Sequence, residues 1–290
     1  MRRLIKIAGR FDEVNTRHMK KRLGIPLFVI CSFLAGCTSA SDLDRKADRT
    51  QSPSADARWL TLIVKAADGV EPQPVTLQYA SEKCKEATHY GVGGQSQSGT
   101  AMMRALNFEK VELVREASGN AYKARFAIDA GGACQWKLVS LETSFKYRSN
   151  HRLVKGREVI SHGNEFNFRS AKDAIRTPNV KAEFAYFPVI LVKDDPSKNE
   201  LRLRPKSLFF PPNLDPSASG TMTLEVRVVE DMAMTVRADP QEGHRYLVTY
   251  PDGATGTSPY LDTVGVEDER MQCLLSAGKK SCAELGPRRR

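Results

Sequence analysis

The 290-residue chain lacks long apolar runs, and its mean hydropathy is −0.41. This excludes a polytopic membrane protein, because a spanning helix needs about 20 consecutive apolar residues. Histidine is scarce, with five residues, and none of the six cysteines belongs to a C-x₂-C pair. Zinc sites normally use such closely spaced ligands. The sequence therefore predicts no metal site and no cofactor.

The segment from Met19 to Cys37 has the anatomy of a signal peptide. A basic Lys20–Arg22 region precedes an apolar stretch from Leu23 to Leu34, and the small residues Ala35-Gly36 follow. Such a stretch is too short to span a bilayer. We assign residues 1–36 to the signal peptide, with Met19 as the better start.

The end of this segment, Leu34-Ala35-Gly36-Cys37, matches the lipobox of bacterial lipoproteins at each position. The chain therefore resembles Gram-negative lipoproteins. The resemblance implies cleavage before Cys37, a diacylated Cys37 thiol and a further acyl chain, such as palmitate, on its α-amine. Several acyl chains on one residue hold a protein to a membrane far better than one chain does. Thr38, in place of Asp, implies the outer membrane and its periplasmic face.

The basic charge of the full chain is concentrated in the part that cleavage would remove. The chain has 44 Lys and Arg residues against 34 Asp and Glu, a net charge of +10. Residues 1–36 hold eight of the basic and two of the acidic residues, so the mature chain keeps 36 and 32, a net charge of +4. The near-neutral body predicts no nucleic-acid partner.

Four cysteines remain for the folded body, because one leaves with the signal peptide and Cys37 carries lipid. An oxidising periplasm favours two disulfides among these four, for which three pairings are possible. We favour Cys84–Cys134 and Cys273–Cys282, because each pair stays within one half of the chain.

The dominant hydrophobic period of the body is two, which is typical of half-buried strands. The runs Trp59–Val64 and Lys181–Val192 are examples, and Pro188 in the second predicts an edge, a bulge or two strands. Tyr122–Ile128 and Cys134–Leu138 alternate on either side of a Gly-Gly turn and predict a hairpin. The prediction is a mainly β protein, an antiparallel β-sandwich that is either one large or two small.

A short C-terminal helix is predicted within Val266–Ala277, which has acidic residues early and is followed by Gly278. Residues 37–57 have few apolar side chains and predict a lipidated Cys with a flexible tether. We place one β-sandwich domain at 58–150, an irregular linker at 151–178, and a second β-rich domain at 179–290.

No catalytic constellation is apparent in the sequence. The Gly-rich run from Gly91 to Gly99 lacks the spacing of a nucleophile elbow and is interpreted as a mobile loop. The mature histidines are interpreted as exposed loop residues; they are His89, His151, His162 and His244. The aromatics of the run Phe184–Phe187 are assigned to core packing. We predict that the protein is not an enzyme.

These observations favour a membrane-anchored, non-enzymatic protein-binding module. Its partners would be the bilayer, through acylated Cys37, and a periplasmic protein. Phe209 and Phe210, followed by Pro211-Pro212, are the candidate partner-binding residues. In layout, the chain resembles lipoprotein immunity proteins that neutralise toxins delivered by type VI secretion. The alternative is an accessory lipoprotein for assembly or structure of the cell envelope.

Overall fold

Strands with one buried face form wherever apolar and polar residues alternate. The computed structural model describes residues 46–92, 95–117, 119–176, 179–207, 211–261, 264–266, 268–278 and 282, with the backbone alone for 89–92 and 95–100. In the first strand, for example, Leu60, Leu62 and Val64 are buried, while the residues between them are partly exposed. β1 therefore shows the period-two pattern that the sequence predicts.

The described strands, in chain order, are β1 (Trp59–Lys65), β2 (Val70–Pro72), β3 (Val75–Val92), β4 (Gln95–Val111), β5 (Val114–Arg115), β6 (Ala121–Ala127), β7 (Asp129–Gly131), β8 (Trp136–Tyr147), β9 (Glu158–Ile160), β10 (His162–Asn167), β11 (Asn179–Val192), β12 (Glu200–Pro205), β13 (Gly220–Val228), β14 (Met234–Ala238), β15 (Tyr246–Thr249) and β16 (Thr255–Ser258). One α-helix, α1 (Glu269–Ala277), follows the strands, and short 3₁₀ turns span Arg152–Val154, Pro196–Lys198 and Glu230–Met232.

The smaller sheet has six strands and is antiparallel throughout. Its order is β10-β8-β3-β4, and β2 and β7 also pair with β8. Within the described residues, β4 ends this order and pairs with β3 alone. The smaller sheet therefore has an open edge along β4.

The larger sheet has ten strands and is mixed. Its main order is β16-β15-β14-β11-β13-β1-β6-β5, with β12 beside β11 and β9 beside β12. β1 lies between β6, which is antiparallel to it, and β13, which is parallel to it. β1 and β6 come from the first predicted domain and β13 comes from the second. The boundary drawn between residues 58–150 and 179–290 therefore does not separate two sandwiches, and one large sandwich describes the fold better.

The two sheets pack face to face around a large apolar cluster. Phe145 of β8 lies against Phe184 and Tyr186 of β11, with ring centroids 6.3 and 6.2 Å apart. Phe166 of β10 meets Phe184 edge-on at 6.1 Å. All four side chains are buried, and aromatic side chains contribute a large share of core stability. The predicted mainly β sandwich is confirmed.

β11 is buried on both of its faces from Tyr186 to Val189. Phe184 points into the cluster between the sheets, whereas Phe187 and Val189 point into a second cluster on the opposite side. α1 covers this second cluster with Met271 and Leu274. Around Phe187 and Val189, the larger sheet is therefore covered by the smaller sheet on one side and by α1 on the other.

Pro188 lies within β11, where that strand changes neighbours. On one side β11 pairs with β13 up to Tyr186 and with β14 from Val189 onward. Pro188 falls in the gap, so the sheet tolerates its missing backbone donor. On the other side Pro188 is opposite Leu203 of β12. The proline was predicted to mark an edge, a bulge or two strands. None of these applies, because β11 is one continuous strand with neighbours on both sides.

α1 begins and ends with the signals that the sequence predicts. The Asp268 side chain accepts a hydrogen bond from the backbone N–H of Met271 at 2.9 Å, which satisfies a donor of the first turn. The helix ends at Gly278, whose φ of 82° favours glycine. The helix begins at Glu269, later than the predicted range Val266–Ala277. Within the described residues, no helix is long and apolar enough to cross a bilayer.

Two local predictions are wrong. Tyr122–Ile128 and Cys134–Leu138 do not form a hairpin, because β6 pairs with β1 in the larger sheet while β8 belongs to the smaller one. The chain changes sheets near Ile128, and the Gly-Gly turn joins the short β7 to β8. The predicted irregular linker at 151–178 contains β9 and β10, whose polar alternate residues obscured their strand character.

Candidate interaction surface

The longest hairpin of the described chain extends beyond the body of the smaller sheet. β3 and β4 pair from Val75↔Val111 to Val92↔Gln95, whereas β8 pairs with β3 only between Thr76 and Ala80. We call the outer part the distal hairpin: β3 from Glu82 to Val92 and β4 from Gln95 to Arg104. Seven residue steps from Lys85 to Val92 correspond to about 23 Å. The run interpreted as a mobile loop thus contains paired strands.

A bulge and a disulfide mark the base of the distal hairpin. The register shifts between Ser81 and Lys85, and the buried Ser81 hydroxyl accepts hydrogen bonds from the backbone N–H groups of Lys83 and Cys84. Cys84 is joined to Cys134, with Cα atoms 5.3 Å apart. Because Cys134 is buried in the core between the sheets, this bond attaches the hairpin base to the body.

The second disulfide joins Cys273 of α1 to Cys282, with Cα atoms 5.9 Å apart. Cys282 is fully buried in the second apolar cluster. Both disulfides are those favoured from the sequence. The bond between Cys273 and Cys282 holds the chain after α1 against the helix.

Residues 46–53, which we call the docked segment, cross one face of the hairpin. The backbone N–H of Ala47 donates to Glu86 of β3 at 2.7 Å, and the Arg49 guanidinium donates to both carboxylate oxygens of Glu86. The Asn107 amide of β4 donates to the Arg49 carbonyl at 3.0 Å, and Gln51 donates to Glu109 at 3.1 Å.

The docked segment also contacts the body. The indole N–H of buried Trp136 donates to the Asp48 carbonyl at 3.0 Å, and the backbone N–H of Ser52 donates to the Ala130 carbonyl at 2.9 Å. Burial opposes ionisation of Glu86, but its bonds to Arg49 keep its pKa below the ordinary value. The predicted flexible tether at 37–57 is therefore wrong from residue 46 onward, since backbone and polar contacts order a segment with few apolar side chains.

Exposed large apolar side chains concentrate on β4 and β5. Of the five found among the described residues, Met102, Met103 and Phe108 lie on β4, with exposed fractions of 46%, 53% and 61%, and Val114 lies on β5. The fifth, Tyr260, follows β16. We call β4 from Ala105 to Val111 the proximal edge, which holds Phe108. The apolar exposure thus accompanies the open edge of the smaller sheet.

The histidines for which side chains are described differ in setting. His151 is interpreted from the sequence as exposed, but its side chain is only 11% exposed and its Nε2 lies 2.9 Å from the Glu230 carboxylate. It also stacks on Tyr147, with centroids 4.5 Å apart, and accepts from the backbone N–H of Leu153. Capping, stacking and the contact with Glu230 give this histidine a structural role.

His162 is also more buried than the sequence predicts. Its ring meets Tyr186 edge-on at 5.4 Å. Burial, assisted by the positive charge of Arg204, lowers the pKa of His162 below its usual value. The imidazole is therefore held neutral as part of the packing between the sheets. His244 lies in an exposed turn, as predicted.

A small cavity of about 180 Å³ lies beside β10 and β11. Asn164 donates to the Tyr186 hydroxyl at 2.6 Å in its wall, and Glu183 pairs with Arg227 across its rim at 3.3 Å. Ligand pockets usually measure roughly 300–1,000 Å³, so this cavity is smaller than a usual ligand pocket.

Among the described residues, no three His, Cys, Asp or Glu side chains come together as a metal site would require.

Three predicted site residues lie outside the described part of the chain: Cys37, Phe209 and Phe210. The structure brings the hairpin base and the docked segment together, which sequence reasoning missed. The available signal was the absence of charged residues from Ala87 to Met103 between two charged flanks. Comparisons of the chain with protein-family models, curated proteins and solved structures found no match.

Proposed function

We propose that the protein is a lipoprotein of the Gram-negative outer membrane, anchored through Cys37 and facing the periplasm. Its role is to bind a protein partner without catalysing a reaction. The anchor is supported by the match of Leu34-Ala35-Gly36-Cys37 to the lipobox. The two disulfides suit an oxidising compartment.

The observation that carries the binding role is the open proximal edge with exposed Phe108. An edge strand offers backbone donors and acceptors to an added strand, and alternate side chains provide specificity. Phe108 is 61% exposed, and a large aromatic side chain of this kind is a common anchor in protein interfaces. The partner therefore adds a strand beside β4 and covers Phe108.

The described histidines support binding rather than catalysis. His151 is engaged by Glu230, Tyr147 and the backbone of Leu153, and His162 is held neutral among packed aromatics. Each of these two imidazoles therefore has a structural use. Within the binding class, a toxin-neutralising immunity protein is our first candidate, on the strength of the layout of lipobox, leader and disulfide-linked β body.

Site-specific photocrosslinking tests the binding role. A photoreactive phenylalanine analogue replaces Phe108 in the full chain in living cells, and the matched control carries it at Tyr260, which is 66% exposed. We expect one partner protein in stoichiometric yield from position 108 and not from position 260. A toxin as partner supports immunity, and a barrel protein supports envelope assembly.

Equal crosslinking at both positions, or none at 108, would contradict the proposed edge. Fractionation of the Cys37→Ser variant tests the anchor separately. We expect this variant to leave the membrane fraction, and full retention in that fraction would show that the lipid anchor is wrong.

A further inference from the structure

Part of the outer face of the larger sheet is left uncovered by the described elements. In β1 and β13, alternate residues are buried between the sheets, and the residues between them are partly or fully exposed. α1 covers the second apolar cluster, to which neither β1 nor β13 contributes a residue. We call the uncovered surface the basic face and define it by Lys123 and Arg125 of β6, Thr61 of β1, Thr223 of β13 and Lys181 of β11.

Strand register places one row of side chains across four strands of this face. Lys123 of β6 is opposite Ile63 of β1. Ile63 is level with Thr223 of β13, which is in turn level with Lys181 of β11. Adjacent strands lie about 4.8 Å apart, so about 14 Å separates the Cα atoms of the two lysines. The row therefore has an ammonium group at each end and a threonine hydroxyl between them.

The neighbouring row contains a guanidinium group with a defined position. Arg125 is opposite Thr61, which is level with Thr221. The guanidinium carbon of Arg125 lies 4.5 Å from the centre of the Trp59 ring. Stacking on an aromatic ring restricts a guanidinium group but leaves its N–H donors available, and these donors match the two oxygens of a carboxylate or phosphate.

The three cations of the basic face have no acidic partner among the described residues. Lys123, Arg125 and Lys181 are exposed, and they take part in none of the ion pairs within the described chain. Their charges are therefore available to an anionic ligand.

The acidic residues on the same face are already paired. Glu225 lies 3.3 Å from Lys65, and Glu183 lies 3.3 Å from Arg227. Over the outer face of the four strands, basic residues therefore exceed acidic ones by three. Such a concentration of positive charge raises the local concentration of an anionic polymer and speeds its association.

We propose that the basic face binds an anionic polysaccharide, a sugar chain that carries carboxylate or phosphate groups. The cations bind the anionic groups, and the threonine hydroxyls donate hydrogen bonds to sugar hydroxyls and accept them in return. Between Lys123 and Lys181, the side chains of Ile63 and Thr223 are only partly exposed. The face therefore lacks the large apolar anchor that protein interfaces use, which favours a sugar chain over an acidic protein.

This inference goes beyond the proposed function. The basic face belongs to the larger sheet, whereas the proximal edge belongs to the smaller one. Binding of a polysaccharide at the basic face requires neither the lipid anchor at Cys37 nor a protein partner at Phe108.

Isothermal titration calorimetry with two matched polymers tests the ligand class. The full chain in detergent is titrated with polygalacturonate and with polyglutamate at equal carboxylate concentration. Both polymers carry one carboxylate per unit, but only polygalacturonate has hydroxyl groups. We expect polygalacturonate to bind severalfold more tightly, because its hydroxyls form hydrogen bonds with the threonines.

Two further polymers define the anion that is recognised. Neutral dextran should not bind, because it offers no charge to the three cations. A phosphorylated mannan should bind, and its affinity relative to that of polygalacturonate distinguishes a phosphate-bearing ligand from a carboxylate-bearing one.

Charge variants locate the site. Replacing Lys123, Arg125 and Lys181 together by Gln should weaken the binding of polygalacturonate about tenfold, since exposed ion pairs are individually weak. The matched control removes the same charge outside the basic face and should leave the affinity unchanged; it replaces the exposed residues Lys137, Lys155 and Arg237 by Gln.

Hydroxyl variants test the contact with sugar. Thr61→Val and Thr223→Val keep the β-branched shape that suits a strand and remove the hydroxyl. Together they should abolish the preference for polygalacturonate over polyglutamate while leaving the binding of polyglutamate unchanged. Urea unfolding of each variant checks that the fold is intact.

Three results would overturn the proposal. Affinity for polyglutamate or dextran as high as that for polygalacturonate would show that the ligand is not an anionic sugar chain. An equal loss of affinity in the two charge variants would show that the basic face is not the site. A preference for polygalacturonate that survives both threonine changes would show that the hydroxyl contacts are wrong. Because none of these measurements uses a membrane or a protein partner, failure here would leave the proposed function in place.

Discussion

Removing the disulfide between Cys84 and Cys134 should lower the free energy of unfolding more than removing the one between Cys273 and Cys282. The first bond closes a sequence separation of 50 residues and the second a separation of nine. Restricting the unfolded chain by loops of these sizes is worth about 4 and about 2.7 kcal/mol respectively. The larger loss is therefore expected for the hairpin-base bond.

Double alanine variants allow the two disulfides to be compared at a similar loss of packing. Each pair contains one buried cysteine, Cys134 or Cys282, and one partly buried cysteine, Cys84 or Cys273. The cavities created by Cys84→Ala/Cys134→Ala and Cys273→Ala/Cys282→Ala should therefore be similar in cost, leaving loop length as the main difference.

Urea unfolding followed by tryptophan fluorescence measures both losses, because the chain has only two tryptophans and Trp136 is buried in the core. Hydrogen exchange adds a local measurement, since β3 beyond Lys85 should exchange faster only when the Cys84–Cys134 bond is absent. Equal losses in the two variants, or a larger loss from the C-terminal pair, would refute the loop-length reasoning.

Three further changes test other parts of the structure. Glu86→Ala should expose the docked segment 46–53 to proteolysis while changing global stability by about 1 kcal/mol or less, as urea unfolding would show. Burial lowers the pKa of His162, so the unfolded chain binds more protons and stability falls as pH drops below 6.5; His162→Gln should flatten the change in urea midpoint between pH 7 and 5, whereas His244→Gln should not. Phe184→Ala should cost about 3–5 kcal/mol of unfolding free energy by removing the ring between the sheets, and a loss below 1 kcal/mol would contradict its central role.

The elements best predicted from the sequence are those with a strong local signal. β1 alternates apolar and polar residues over its full length, and α1 has Asp268 at its start and Gly278 at its end. The disulfide partners also followed from separation along the chain. Each of these signals is contained in a few residues or in simple chain order, so no knowledge of distant contacts was needed.

Sheet neighbours could not be predicted in the same way. Alternation shows which face of β1 is buried, but it does not distinguish the parallel partner β13 from an antiparallel one. The Tyr122–Ile128 hairpin prediction failed for this reason. The Gly-Gly turn does connect two strands, β7 and β8. β6, however, pairs with β1, which is distant in the sequence.

The candidate surface was the hardest part to predict. None of the distal hairpin side chains that the structure describes, at 82–88 and 101–104, is buried, and this part lacks the apolar alternation that identifies β1. The docked segment is held by the carboxylate of Glu86 and by backbone groups, which a count of apolar residues does not detect. Surfaces built from polar contacts between distant segments leave little trace in local sequence patterns.

The burial of the middle of β11 on both faces has a consequence for cooperativity. Phe184 and Phe187 belong to different apolar clusters, yet only two residues separate them on one strand. If either cluster melted, the strand shared by both would lose packing on one side and its hydrogen-bonded neighbours would follow. The sandwich and the helix that covers it should therefore unfold in a single calorimetric transition, because β11 contributes residues to both apolar clusters.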